Sequence, residues 1–115
     1  MAFIMKRNDT RPIYKAQLTQ TDPANPANQI PVDLTAATQV RFLMKVNPLT
    51  GTPKVNAAAT VTDAVNGKVQ YTWAALDTDT AATYFVEFEV HWGTDLQTFP
   101  SDDYLSITIK EDLGP

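Results

Sequence analysis

The segment from Tyr84 to Trp92 repeats every two residues. Tyr84, Val86, Phe88, Val90 and Trp92 fall on one side, and Phe85, Glu87, Glu89 and His91 on the other. Only an extended strand turns such a pattern into two faces, because its successive side chains point in opposite directions. A helix would scatter the same residues around its circumference. The pattern predicts a strand with one buried and one mostly wet face, the habit of an antiparallel sheet covered on one side. Three further runs behave alike. Val40, Phe42, Met44 and Val46 alternate with Arg41, Leu43 and Lys45. Val69, Tyr71 and Trp73 alternate with Lys68, Gln70 and Thr72, and Leu105, Ile107 and Ile109 with Tyr104, Ser106, Thr108 and Lys110. Weaker alternation runs through Tyr14–Ala16–Leu18 and Val55–Ala57–Ala59–Val61. Helical periodicity is nearly absent, and the abundant threonine suits pleated surfaces.

Turn signals separate the runs. Asn66–Gly67 lies between a strand ending near Asp63 and one starting at Lys68, and both residues tolerate the positive φ of a tight hairpin. Residues 48–53 read as a longer loop, and Gly93–Thr94–Asp95 as a turn. Residues 23–28 form a polar loop whose two prolines cannot donate to a ladder. Residues 73–82 are the only helix-compatible stretch and predict a crossing from one sheet to another, with room for one helical turn. About seven short strands follow, in one domain spanning 1–115. A small closed barrel satisfies the same alternation. Asp79–Thr80–Ala81 ahead of Tyr84 is similar to the corner of immunoglobulin domains, one residue longer, where a tyrosine hydroxyl ties back to the preceding loop. The residues themselves therefore point to an all-β fold, a sandwich or a small barrel, and the likeness to that corner implies an immunoglobulin-like β-sandwich of about seven antiparallel strands.

Composition narrows the chemistry. With 43% hydrophobic and 19% charged residues in 115, the chain can bury one core. It has no cysteine, which excludes disulfide scaffolds, thiol nucleophiles and cysteine-bound zinc. A net charge of -4 argues against nucleic acid as the main partner. No apolar run reaches membrane-spanning length, and the start MAFIMKRNDT lacks a signal-peptide layout. His91 is the only histidine, and Ser101 and Ser106 are the only serines, with no nucleophile-elbow pattern around either. Glu87, Glu89 and His91 share one strand face and have the residue types for a cation site, but a solvated sheet face is much the simpler account of them. Asp77, Asp79, Asp95, Asp102 and Asp103 lie in loops, where aspartate serves turns as readily as calcium. No cofactor, metal or catalytic residue is implied, and the expectation is a protein that is not an enzyme.

Two features suit assembly better than catalysis. The first is the apolar start Ala2–Phe3–Ile4–Met5 before Lys6–Arg7, which either adds an edge strand or acts as a docking arm within residues 1–10. The second is the pair Phe85 and Leu43, placed by alternation on outer faces. The candidate interface residues are Phe3, Ile4, Met5 and Phe85. An alternative is a host-surface carbohydrate or receptor module using Phe85, Phe99 and Tyr104, with Trp73 and Trp92 on predicted core faces.

Several segments in order resemble one family. They are Lys6–Arg7–Asn8–Asp9–Thr10–Arg11–Pro12, then Pro31–Val32–Asp33–Leu34–Thr35–Ala36–Ala37 running into residues 40–44. Gly67–Lys68–Val69–Gln70–Tyr71–Thr72–Trp73, residues 77–90 and residues 98–105 follow. Together the chain resembles the immunoglobulin-like N-terminal domain of phage baseplate upper proteins and related small virion proteins. That family usually has glycine where Asn8, Ala36 and Ala82 stand here. The resemblance implies a structural protein of a tailed-phage virion, in the tail tip, baseplate, neck or capsid surface. It implies other virion proteins as partners and multiple copies in a symmetric assembly. Members of that family often continue into longer chains, and the 115 residues here set the expectation of a stand-alone module without a stalk or receptor-binding head. It implies no nucleic acid and no membrane partner.

Overall fold

A computed structural model describes residues 3–47, 49–100 and 105–114. The strands are β1 (Phe3–Lys6), β2 (Tyr14–Gln17), β3 (Thr19–Thr21), β4 (Gln29–Pro31), β5 (Gln39–Lys45) and β6 (Val55–Ala58). They continue with β7 (Thr60–Asp63), β8 (Lys68–Tyr71), β9 (Ala82–Trp92), β10 (Asp95–Phe99) and β11 (Leu105–Lys110). Every described residue outside them lies in turns, bends or irregular chain, so the protein is all-β.

The alternating runs become strands because alternation lets one face leave water. In β9 the inward row Tyr84, Val86, Phe88 and Val90 is at most 1% exposed, while its neighbours stay half-buried. β9 organises the larger sheet. One of its edges pairs antiparallel with β5, in register from Gln39 opposite His91 to Lys45 opposite Phe85. Its other edge is shared: β11 covers Ala82–Val86 and β10 covers Phe88–Trp92. β6 extends the sheet beyond β5, and β1 ends it by pairing parallel with β11.

The second sheet has the order β2-β8-β7 and packs its inner face on the first. The aromatic residues meet between them. The Phe42 ring stacks on Tyr71 at 4.3 Å with the planes 3° apart, and Trp73, Phe88 and Tyr14 pack around Phe42 at 5.5–5.8 Å. Each such pair adds roughly 0.5–1.5 kcal/mol beyond the area it buries. Residues 72–81 carry the chain from the second sheet to the first, as predicted, through two turns and without a helix. The β6–β7 run crosses between sheets too. Ala59 interrupts it and donates its N–H to the Val40 carbonyl at 2.8 Å.

The described residues form eleven strands against about seven expected, for three reasons. The edge beside β9 is divided between β10 and β11. The 55–61 run breaks at Ala59 into β6 and β7, and residues 19–31, of which 23–28 read as a loop, form a β3–β4 ribbon that stands apart as its own two-stranded sheet. None of the ribbon's residues is buried. With it the molecule measures 51 × 27 × 27 Å. The ribbon, the β7–β8 connection and the Gly93 turn share one end of the molecule. The 46–54 loop, the 72–81 crossing and the turn after β1 share the other, where Lys54 pairs with Asp79 and Asn8 N–H donates to the Thr78 carbonyl.

Gly67 fixes the ribbon's root. Its φ is 67°, and a Cβ there would lie 2.6 Å from the Leu18 carbonyl oxygen and 2.7 Å from that of Val32. The Gly67 carbonyl accepts from Leu18 N–H at 2.8 Å, and Val32 N–H donates to the Leu18 carbonyl at 2.9 Å. Of the pair expected to take positive φ, only Gly67 does so, because four residues rather than two join β7 to β8.

Candidate interaction surface

The apolar start folds as an edge strand. Met5 is 5% exposed and sits in register with Ile109, so its side chain belongs to the core. Phe3 is half-buried and meets Tyr14 edge to face at 5.0 Å. Ile4 points the other way and is 57% exposed. Of the three residues proposed as contacts, Ile4 alone offers a mostly exposed side chain. Among the described residues β1 is hydrogen-bonded along one side only, so its other backbone edge is open.

Phe85 lies on the outer face of the larger sheet, between Lys45 and Ser106 in register, and is half-buried. Leu43 lies two positions along on β5, opposite Glu87. Glu87 has its carboxyl pushed up from the usual value, first by burial and then by the nearby Glu89 charge. Glu89 instead contacts His91, with Oε1 at 2.9 Å from Nε2. Arg41, in register with Glu89, directs its guanidinium to Asn56, donating to the side-chain oxygen at 2.9 Å and 3.1 Å and to the carbonyl at 2.7 Å. Glu87, Glu89 and His91 therefore share one face, as the alternation predicts. Among the described residues no three His, Asp or Glu side chains converge as a metal site would require.

The loop aspartates have local work. The Asp77 carboxylate accepts from Tyr71 O–H and, at 2.8 Å, from Ala74 N–H. Asp79 pairs with Lys54, whose ammonium is the first cause holding that carboxyl below its usual value. Thr78, 2% exposed, donates its hydroxyl to the Asp9 carbonyl at 2.7 Å. Asn8 adopts φ of 70°, the conformation its type tolerates. The Tyr84 hydroxyl donates to the Thr80 carbonyl at 2.6 Å, the tie-back its position predicts. Trp73 is buried and donates its indole N–H to the Pro12 carbonyl at 3.0 Å. The whole 74–81 crossing is thus clamped from several sides.

Of the aromatics suggested for carbohydrate stacking, Phe99 is 1% exposed and belongs to the core, and Tyr104 lies outside the described residues. Ser101, Asp102, Asp103 and Ala2 also lie outside them. Trp92 packs partly buried against the core. No helix among the described residues is long and apolar enough to cross a membrane.

Sequence reasoning missed Leu76. Its φ is 73° and it is 74% exposed, at the tip of the clamped crossing. The surrounding Ala74–Ala75–Leu76–Asp77 reads as helix-compatible, and no turn residue marks the position. Comparison of the chain with protein-family models and with curated proteins finds no match.

Proposed function

We propose that the chain is an immunoglobulin-like β-sandwich that serves as a non-enzymatic structural module of a tailed-phage virion. The order of the strands supports the fold. The sheet β6-β5-β9-β11-β1 facing β7-β8-β2 matches the C′CFGA′ and DEB sheets of a variable-type immunoglobulin domain, with β10 and β11 as two halves of strand G. The β3–β4 ribbon is then an insertion between strands B and C. The Tyr84–Thr80 bond supports it further, standing where such domains carry their tyrosine corner.

The observation that carries the assembly reading is the open side of β1. An extended backbone edge bearing the exposed Ile4 is the feature β-augmentation uses, since backbone bonds give affinity without special side chains. Left in solvent, the same edge is an aggregation template, which natural proteins cover or charge. The occupant of that edge in this proposal is a neighbouring virion protein. Mass spectrometry of gradient-purified particles of the encoding phage tests it. The expected result is this chain in many copies per particle, and its absence from the particles rejects the proposal.

A further inference from the structure

Leu76 poses a problem of physical economy. It is the third residue of a turn closed by Asp77 N–H donating to the Ala74 carbonyl at 3.3 Å. At φ of 73° this is the backbone of a type II turn, which glycine or asparagine adopts easily and leucine does not. The side chain repays nothing to the fold, being 74% exposed. Yet the turn is held rigidly: Asp77 is bonded to Tyr71 and Ala74, Thr78 to Asp9 and Asn8, and Asp79 to Lys54. A strained backbone, locked by its surroundings and presenting an exposed apolar side chain, is the arrangement of a preorganised contact residue.

A receptor for that side chain lies towards the opposite end of the same molecule. Where the chain passes from β6 to β7, a groove of about 260 Å³ opens over Ala37, Val40, Ala58, Ala59 and Val61, with the polar Thr38 and Gln39 completing its lining. For scale, an apolar cavity of ~150 Å³ holds benzene. Small alanines leave the space open, and Val61, 37% exposed, forms part of the wall. No charged side chain lines it.

Charge also favours joining unlike ends. Among the described residues the groove end carries Asp22, Asp33, Asp63, Glu89 and Asp95 against the cations Arg41 and Lys68, Arg41 standing in register with the groove residue Ala58. Among the described residues the Leu76 end carries the cations Lys6, Arg7, Arg11, Lys45, Lys54 and Lys110 against Asp9, Asp77, Asp79, Glu87, Glu111 and Asp112, so it is the more positive of the two. A contact between two copies of the Leu76 end gains nothing from this asymmetry, whereas head-to-tail contact does.

We infer that the chain associates head to tail with further copies of itself, Leu76 of one copy seating in the Ala37–Val40 and Ala58–Val61 groove of the next. Such a contact joins two different patches, so it repeats into a ring or a filament instead of stopping at a symmetric dimer. The inference does not depend on the virion proposal, because it needs only a second copy of this chain.

Sedimentation velocity of the purified chain up to about 1 mM, with two variants, tests it. Leu76→Gly suits the turn and removes the knob. Ala58→Arg, at an exposed position, fills the groove. The expected result is concentration-dependent association of the native chain. Each variant alone weakens it ~tenfold or more in Kd, the loss expected when one leucine's burial is removed. The mixed variants form a one-to-one dimer and nothing larger, because one intact knob and one intact groove remain between them. A native chain that stays monomeric, a Leu76→Gly chain that associates like the native one, or variants that fail to dimerise when mixed would each overturn the inference. Leu76→Gly alone decides the matter should Ala58→Arg fail to fold.

Discussion

Gly67 has no room for a side chain. A Cβ there meets two backbone carbonyl oxygens, neither of which can swing aside as a flexible side chain would. Its positive φ adds a backbone penalty for any L-residue. Gly67→Ala is expected to cost about 3 kcal/mol, combining overpacking and left-handed strain. Urea unfolding measures it, and a loss below about 1 kcal/mol would show that the turn yields more easily than this geometry allows. Tyr84→Phe is gentler. It keeps the buried ring and removes only the bond to Thr80, an exposed residue whose carbonyl water can reach, so about 1 kcal/mol is expected, the net worth of one hydrogen bond. Both residues were legible in the sequence, Gly67 through the Asn–Gly signal and Tyr84 through its place where the loop enters a strand. Leu76 was not. Its conformation is imposed by partners as distant in sequence as Asp9, and a local reading of Ala–Ala–Leu–Asp contains none of them.

At the scale of elements, legibility follows burial. β5, β8, β9 and β11 each bury alternate residues against the opposite sheet, and each was visible as alternation. β3 and β4 bury nothing and carry Thr, Gln and Pro, so no periodicity marks them. β10 lacked a signal for a different reason. Its pattern is set by pairing on β9, and within it only Phe99 is buried. The candidate contacts Phe3, Ile4 and Met5 were recognised as apolar, but their division into core and surface depended on the register with β11. The ribbon carries a prediction of its own. Isolated two-stranded hairpins are marginal in water, and this one contributes no side chain to the core. Replacing residues 20–30 by a short glycine-containing turn, with Leu18 and Val32 retained, should change the stability of the body by less than about 1 kcal/mol. A larger loss on thermal unfolding would mean that the ribbon supports the sandwich.

For the whole molecule, the titratable groups define a pH window. Burial pushes the Tyr14 hydroxyl up to about 12 and raises Tyr71 and Tyr84 in the same direction, Tyr71 with added help from its bond to Asp77. An unfolded tyrosine ionises near 10. The folded chain therefore holds more protons than the unfolded one above that pH, so stability is full below about pH 10 and falls as the pH rises towards 12. Urea titrations at about pH 9 and pH 11.5 should show this decline. Tyr14→Phe should flatten it, and an unchanged slope would remove Tyr14 as a cause. On the acid side, Asp33 and Asp63 are held below the usual carboxyl range, chiefly by side-chain hydrogen bonds from Thr35 and Asn66. Their contribution is present above about pH 4 and is lost as the pH falls.

The larger question for the whole molecule is what meets the open edge of β1. Sandwich, clamped crossing and open edge are the observations behind the proposal of a module that works by contact. The direct measurement is a density map of the purified particle that resolves the ~4.8 Å spacing between strands. The account predicts repeated blocks of 51 × 27 × 27 Å, each with a strand of a neighbouring protein beside Phe3–Lys6. A map in which the block appears with that edge facing solvent in every copy would contradict it.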